Sequence, residues 1–299
     1  MKSNVGNRIL SISLLPLAFT ISRFRFWIYT GGTFVLGVAL GMENWQIFFS
    51  PLYYLYLFYF FFPANLFIYG VNDYWDEETD RQNPKKVGKE HKLKANEHRK
   101  TLLLLTIFAA LSLALFVVQD RTEQVIFLIF LFLAYFYSAP PLRFKQHPVL
   151  DFSSNMLYIM PGIFGYYLAA GQTPPLLLVI AGYLHISAMH IFSAIPDIRY
   201  DRAAGITTTA VWLGRRSSLL LCTAFWTLFS LLVILLAGLY PLSFLVIIYP
   251  LFPAVLLFRK EVSIDRLYWY LPYVNTALGG LAFAVFTLLK MPAVFPPFW

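Results

Sequence analysis

Two groups of aspartates have the residue types and spacing that could do chemistry in this 299-residue chain. The first group lies in the stretch 72–80 and consists of Asn72, Asp73, Asp76 and Asp80. On a helix, these residues would share one face. The second group is the i, i+4 pair Asp197 and Asp201, which would also share one helical face. Like charges at these spacings repel one another, so each face is unfavourable by itself.

A hard divalent cation would reverse the effect of this repulsion. Mg²⁺ prefers oxygen ligands, keeps several waters, and is typically bound by one or two carboxylates together with substrate phosphate oxygens. Two carboxylate faces that meet across a cavity could therefore bind Mg²⁺ around a diphosphate. The metal would then neutralise the charge that develops as the diphosphate leaves a carbon atom. The alternative is that both groups are ordinary solvated helix ends near a membrane surface.

The elements that must position these groups are membrane helices, according to the composition. Hydrophobic residues make up 59% of the chain, charged residues 13%, and the mean hydropathy is +0.65. A soluble domain has roughly 45–50% apolar and about 25% charged residues. Apolar stretches of about 20 residues, the length that spans a bilayer, occur near 23–42, 45–70, 101–119, 122–139, 149–171, 174–195, 216–239, 240–258 and 267–290.

We therefore predict an all-α, polytopic membrane protein with about nine transmembrane helices. We expect residues 1–299 to form one domain, in which residues 1–22 form a cytoplasmic segment at the membrane interface rather than a cleaved signal peptide. The only cysteine is Cys222, which excludes a disulfide scaffold and a Cys-ligated metal site.

The basic residues predict the orientation of the chain in the cell membrane. All but Arg121 and Lys290 of the 23 Lys and Arg residues fall on one side of the predicted topology. By the positive-inside rule, this side is cytoplasmic, and the N-terminus and both aspartate groups lie on it. Nine spans would then place the C-terminus outside the cell. Arg23 and Arg25, at the entry to the first span, are expected to extend toward the lipid head groups. The bias explains the net charge of +8 without a nucleic-acid partner.

The two aspartate groups resemble the paired motifs of the UbiA superfamily of intramembrane prenyltransferases. Residues 72–80 fit its NDxxDxxxD motif, residues 197–201 fit its DxxxD motif, and residues 201–214 are similar to the sequence that follows the second motif. The spacing agrees over the whole chain, with one motif after the second span and the other after the sixth.

This resemblance implies a helical bundle around a central cavity that opens to the lipid. It also implies Mg²⁺-dependent transfer of a prenyl group from a prenyl diphosphate to an acceptor. If each residue of the family's motifs has the same role at the matching position of this chain, the metal–diphosphate site would be formed by Asn72, Asp73, Asp76, Asp80, Asp197 and Asp201. Of these, the residues expected to be catalytic are Asp73, Asp76, Asp197 and Asp201.

Three further stretches resemble the lycopene elongase branch, namely residues 83–86, 137–145 and 189–197. Enzymes of that branch add C5 units to the ends of a C40 carotenoid, so the resemblance implies dimethylallyl diphosphate as donor and lycopene as acceptor. A hydrocarbon nucleophile needs no base to activate it, but the product cation must lose a proton or capture water. Two alternatives remain open: a polar acceptor, either an aromatic quinone precursor or a glycerol lipid, and an ion-coupled transporter.

Further residues are candidates for binding the substrates. Lys and Arg pair with phosphate oxygens, and the candidates for the diphosphate are Tyr137, Arg143, Lys145, Lys85 and Lys86. The positive-inside rule and contact with anionic lipid head groups are alternative reasons for basic residues at these positions. The candidates for the acceptor cavity are His190, Asn155 and Arg25. His190 is either a proton acceptor for the final cation or a core polar group, and Asp151, an i, i+4 neighbour of Asn155, is a possible helix cap.

Overall fold

The computed structural model describes residues 13–76, 93–94, 97–259 and 261–290, and no strand occurs among them. Thirteen α-helices follow one another in these residues: α1 Leu14–Ile21, α2 Gly31–Gly41, α3 Pro51–Phe61, α4 Pro63–Trp75, α5 His98–Val118, α6 Arg121–Phe136, α7 Leu150–Ser153, α8 Met160–Ala170, α9 Leu176–Ala194, α10 Ile198–Ala203, α11 Thr209–Leu236, α12 Ile248–Phe258 and α13 Ile264–Leu289. Short 3₁₀ segments connect several of them, including Phe24–Tyr29, Ser154–Tyr158 and Ile195–Asp197. The predicted all-α class is confirmed.

Six segments of the described chain are long and apolar enough to cross a membrane: Pro51–Trp75, His98–Val118, Leu176–Ala203, Thr209–Leu236, Pro241–Phe258 and Ile264–Leu289. The other three predicted stretches are helical but shorter. α2 has 11 residues, α6 has 16, and the stretch 149–171 is divided into α7, a 3₁₀ segment and α8. The multi-pass architecture is therefore confirmed, whereas the count of nine spanning helices stays a prediction.

The hydrophobic core consists of two clusters. The first is contributed by α1–α6 and α8 and is rich in stacked aromatic rings, as in Tyr56 and Phe164, whose centroids are 4.6 Å apart. The second is contributed by α7, α9 and α11–α13 and is centred on the fully buried Trp226. Helix α13 packs against α2 and also places Leu271 in the second cluster, so it joins the two halves.

The entry segment packs into the first cluster. Helix α1 buries Leu17, Ala18 and Ile21 and contacts α4 and α5. Residues 1–12 lie outside the described residues, so the interfacial position expected for residues 1–22 stays a prediction.

Glycines allow helices α2 and α8 to approach at backbone distance. A Cβ atom added at Gly37 would lie 2.0 Å from the carbonyl oxygen of Gly162, and one at Gly41 would lie 2.5 Å from that of Tyr166. Small residues at such contacts are typical of membrane helices, because association there depends on close van der Waals packing. This contact aligns α2 with α8 and so supports the segments that lead to the site.

A capping box begins α6 at the opposite end of the bundle from the aspartate motifs. The Asp120 side chain accepts hydrogen bonds from the backbone N–H groups of Glu123 and Thr122, each at 2.8 Å, and the Glu123 carboxylate accepts one from the backbone N–H of Asp120. These backbone hydrogen bonds, that of Glu123 first, lower the pKa of the Asp120 carboxyl. The cap fixes the turn between α5 and α6 and therefore the direction of α6 toward the site.

We expect Gly37→Ala to destabilise the protein by roughly 1–3 kcal/mol, because the added methyl group forces α2 and α8 apart. Thermal unfolding of the protein in detergent measures this loss. Gly279→Ala in α13 is the matched control, since its Cβ would meet no atom within 4 Å. Equal melting temperatures for the two variants would contradict the backbone contact.

Candidate active site

The first aspartate motif lies at the end of α4, where Asp73 is 2% exposed. Its Oδ1 accepts a hydrogen bond from Arg23 Nη2 at 2.6 Å. The Arg23 guanidinium lies over the ring of Tyr69, 4.6 Å from the centroid, and its backbone is left-handed, with φ 51°. The expected extension of Arg23 to the lipid head groups is therefore wrong, because the buried carboxylate of Asp73 requires a nearby cation to compensate its charge.

Asp76 follows α4 directly as its C-cap and is also 2% exposed. Its Oδ2 accepts a hydrogen bond from Asn72 Nδ2 at 2.7 Å and contacts Lys145 Nζ in an ion pair. Arg143 Nη2 lies 3.8 Å from Asp76 Oδ1. The helix expected to carry the motif thus ends at Trp75, and Asp80, Lys85 and Lys86 lie outside the described residues.

The loop after α6 is bound to the end of α4 by a second set of contacts. Asn72 Nδ2 donates to Ser138 Oγ at 2.9 Å. Arg143 donates through Nε to the Ser138 carbonyl at 3.1 Å and through Nη2 to the Trp75 carbonyl at 3.0 Å. These bonds hold the basic residues of the loop against the first motif, so two predicted diphosphate ligands, Arg143 and Lys145, lie beside Asp76.

The chemistry of this donor set fits a hard cation bound together with a phosphate. Two buried carboxylates and an amide oxygen are the ligand types that Mg²⁺ takes, and the adjacent Lys and Arg side chains can pair with phosphate oxygens. Among the residues that the structure describes, no three His, Cys, Asp or Glu side chains form a metal-binding group by themselves. A Mg²⁺ ion bound by these residues would take its remaining ligands from water and substrate.

The second motif lies where α9 gives way to α10. Pro196 falls in the 3₁₀ turn Ile195–Asp197, and Asp197 and Asp201 are both half-buried. The chain then turns back: the Ile206 N–H donates to the Asp201 carbonyl at 2.9 Å, and the Thr208 hydroxyl caps α11 by accepting from the Val211 N–H at 3.2 Å. The predicted i, i+4 pair is thus held on one turn next to the start of α11.

A clamp between Asp151 and Thr209 connects the second motif to the loop of the first. Asp151 is fully buried, and its carboxylate accepts from the Thr209 N–H at 2.7 Å and from the Thr209 hydroxyl at 2.5 Å. The Thr209 hydroxyl in turn accepts from the Val149 N–H at 2.7 Å. Asp151 therefore caps the start of α11, whereas its own short helix has no side-chain cap, which corrects the predicted local cap. Just five residues separate Asp151 from Lys145.

The acceptor-cavity candidates lie in different places. His190 Nε2 is 3.9 Å from Asp151 Oδ2, and the ring of Tyr137 meets the His190 ring edge-on, with centroids 6.1 Å apart. Asn155 Nδ2 donates to the Asp151 carbonyl at 2.6 Å. His190, Asn155 and Tyr137 therefore lie together next to Asp151. Arg25 lies elsewhere. Its guanidinium carbon is 3.5 Å from the centroid of the Trp269 ring in α13, and its Nη2 donates a hydrogen bond to the Trp269 carbonyl at 3.0 Å.

Sequence reasoning missed Arg23 as a site residue and Thr209 as the partner of Asp151. A signal for Arg23 was available, because two buried aspartates in one membrane helix require nearby cations. Thr209 and Asp151 are 58 residues apart, and neither spacing nor composition connects them.

A model of the UbiA prenyltransferase family matches residues 32–270 of the chain. Two proteins named lycopene elongase/hydratase are similar to it over most of their length. The protein from Halobacterium salinarum is 40% identical over 275 residues, which are 90% of this chain and 95% of that protein. The protein from Haloarcula japonica is 38% identical over 280 residues, 93% of this chain and 92% of its own.

Solved structures of a UbiA homologue from Archaeoglobus fulgidus have the same fold. The complex with GPP and Mg²⁺ superimposes with a TM-score of 0.68 at 21% identity and covers 90% of this chain and 99% of that chain. The complex with DMAPP and Mg²⁺ superimposes with a TM-score of 0.66 at 20% identity, with coverage of 91% and 99%.

We expect Arg23→Gln to lower the free energy of unfolding by about 3–5 kcal/mol, because it leaves the Asp73 carboxylate buried without its guanidinium partner. Adding Asp73→Asn should recover part of this loss, since the second change removes the buried charge. Arg121→Gln is the control, because Arg121 is exposed at the start of α6. Strictly additive effects of the two site substitutions in thermal unfolding would show that the pair is not coupled.

Proposed function

Because this chain belongs to the UbiA prenyltransferase family, we propose that it transfers the C5 group of dimethylallyl diphosphate to the ends of lycopene, with Mg²⁺ as cofactor. The observation that carries this proposal is the pair of buried aspartates, Asp73 and Asp76, held against Arg23, Arg143 and Lys145. Family membership favours an enzyme over the ion-coupled transporter that the sequence alone left open.

Several observations support a prenyl diphosphate as the donor. The A. fulgidus homologue is described as bound to GPP and Mg²⁺ and to DMAPP and Mg²⁺. In this chain, Asn72, Asp73 and Asp76 together with Asp197 and Asp201 would hold the metal, and Asp80 remains a proposed ligand. Arg143, Lys145 and Tyr137 would bind the diphosphate, with Lys85 and Lys86 as proposed further contacts.

The proposed reaction begins with loss of the diphosphate. When bound, Mg²⁺ neutralises the charge that develops on the leaving diphosphate oxygen. Arg143 and Lys145 stabilise the same charge through hydrogen bonds to phosphate oxygens. The C–O bond of the donor breaks with its electron pair on the diphosphate, and an allyl cation remains. The buried aromatic side chains packed around α4 would exclude water from this cation.

Aromatic side chains next to the aspartates suit the cationic intermediate. The Tyr69 ring lies under the Arg23 guanidinium, and the Tyr69 hydroxyl is 3.4 Å from the Tyr158 hydroxyl. The rings of Tyr158 and Tyr29 meet edge-on, with their centroids 6.2 Å apart. The negative faces of such rings attract cations, most strongly where water is excluded. A terminal double bond of the acceptor can attack the allyl cation there, which forms a C–C bond and a tertiary product cation.

The names of the relatives support lycopene as the acceptor. Both are called lycopene elongase/hydratase, and their similarity to this chain extends over nine-tenths of its length. We accordingly propose that water captures the product cation, so that each reacting end gains a C5 group and a hydroxyl. We further propose that the site faces the cytoplasm, because the basic residues are concentrated on that side.

Expression in a lycopene-accumulating bacterial host tests the acceptor, with the extracted pigments weighed by mass spectrometry. We expect carotenoids extended by one and two C5 units with the wild-type chain, and at least about a 100-fold smaller amount with Asp76→Asn. Asp265→Asn is the control, because Asp265 is an exposed carboxylate in the first turn of α13 and belongs to neither aspartate motif. Unchanged lycopene beside folded protein, with product formed only from a polar acceptor, would reject lycopene.

Removal of divalent metal tests the cofactor separately from the acceptor. We expect EDTA to stop diphosphate release from dimethylallyl diphosphate by the purified protein and added Mg²⁺ to restore it, because the leaving charge then lacks its counterion. The melting temperature with and without EDTA controls for unfolding. Diphosphate release at an undiminished rate in EDTA would contradict a metal-dependent site.

A further inference from the structure

A carboxylate–imidazole pair lies next to the loop that carries Lys145, and the proposed transfer of the C5 group does not use it. His190 is in α9, seven residues before Asp197, and its Nε2 is 3.9 Å from Asp151 Oδ2. The His190 side chain is 15% exposed, whereas that of Asp151 is only 1% exposed. The imidazole is therefore the accessible member of the pair, and the carboxylate lies behind it.

Asp151 is fixed in place independently of the imidazole. Two hydrogen bonds from Thr209, at 2.7 and 2.5 Å, hold its carboxylate, and Asn155 binds its backbone carbonyl. A carboxylate at this distance stabilises an imidazolium by coulombic attraction. Because Nε2 faces Asp151, the other ring nitrogen, Nδ1, is the one that can accept a proton from a reactant.

The groups around His190 are polar and of the kinds that can bind a water molecule. The ring of Tyr137 lies edge-on to it, and Asn155 and Asp151 complete a polar wall. A water in a protein interior needs two to four polar partners, and hydroxyl, amide and imidazole groups supply them here. The same loop carries Arg143 and Lys145, so this wall lies next to the proposed diphosphate site.

The second histidine of α9 is engaged elsewhere. His185 Nδ1 accepts a hydrogen bond from Trp226 Nε1 at 3.2 Å, and its ring packs against Phe229 and Tyr249 at centroid distances of 4.8 and 4.6 Å. Its ring is therefore part of the second core cluster. His185 provides a matched comparison for His190 on the same helix.

We propose that His190 is the catalytic base of the water-addition step and that Asp151 is its positioning residue. This inference rests on the function proposed above. The water oxygen donates an electron pair to the tertiary product cation and forms a C–O bond. One O–H bond of that water breaks, and its proton passes to His190 Nδ1. The resulting imidazolium is held by the Asp151 carboxylate, and the product is a tertiary alcohol.

The experiment uses the full chain in membranes, supplied with lycopene, dimethylallyl diphosphate, Mg²⁺ and ¹⁸O-labelled water. Mass spectrometry gives the ratio of hydrated, labelled product to unhydrated product among the C5-extended carotenoids. This ratio does not depend on how much folded protein is present. We expect His190→Gln to lower it by about tenfold or more, because a positioned base contributes at least that much to a proton transfer.

Three further variants separate the role of the base from a structural role. Asp151→Asn should lower the ratio in the same direction as His190→Gln. Thr209→Val removes one of the two hydrogen bonds that hold the Asp151 carboxylate, so the ratio should fall in the same direction but by less than with Asp151→Asn. His185→Gln should also leave the ratio near the wild-type value.

The outcomes distinguish this inference from the proposed function. A wild-type ratio in the His190→Gln products, or a fall of equal size in His185→Gln, would overturn the role of His190. Loss of all C5-extended product in folded His190→Gln would also overturn it, since the residue would then act in the first half of the reaction. A wild-type chain that transfers no C5 group would overturn the proposed function and this inference together.

Discussion

Charge compensation of two carboxylates buried at the end of a membrane helix is the constraint on which the rest of the site depends. Asp73 and Asp76 are each 2% exposed, and a buried charge costs several kcal/mol unless a partner compensates it. The compensating cations are Arg23 in the entry segment, which pairs with Asp73, and Arg143 and Lys145 in the loop after α6, which lie against Asp76. The positions of these two distant segments follow from where the carboxylates lie.

The same contacts prepare the site for an anionic substrate. The cations that compensate the aspartates are also the groups that can pair with phosphate oxygens, so one arrangement serves both stability and binding. The loop from Arg143 continues into Asp151, which caps α11 through Thr209 and so connects the two aspartate motifs. Aromatic packing around α4 and α8 surrounds this polar end with apolar walls suited to a prenyl chain and a hydrocarbon acceptor.

The sequence predicted the all-α membrane class and located both aspartate motifs, because hydropathy and short spacings report local structure. It also predicted Arg143 and Lys145 as diphosphate ligands, and the structure places both beside Asp76. Contacts between residues far apart in the chain were beyond such reasoning. Arg23 and Asp73 are 50 residues apart, and the entry to the first span carries basic residues for topological reasons anyway. The count of spans was difficult because the stretch 149–171 is divided into α7, a 3₁₀ segment and α8, and Pro161 lies in the first turn of α8.

The most direct test of the central claim, that both aspartate motifs and the adjacent cations form one metal–diphosphate site, is anomalous scattering from Mn²⁺. Crystals would contain the full chain, Mn²⁺ in place of Mg²⁺, and a non-reactive thio analogue of dimethylallyl diphosphate. We expect manganese peaks within coordination distance of Asp73 or Asp76 and of Asp197 or Asp201, with the diphosphate between them and next to Lys145. Manganese bound at neither motif, or a diphosphate bound away from Lys145, would contradict the assignment of the site.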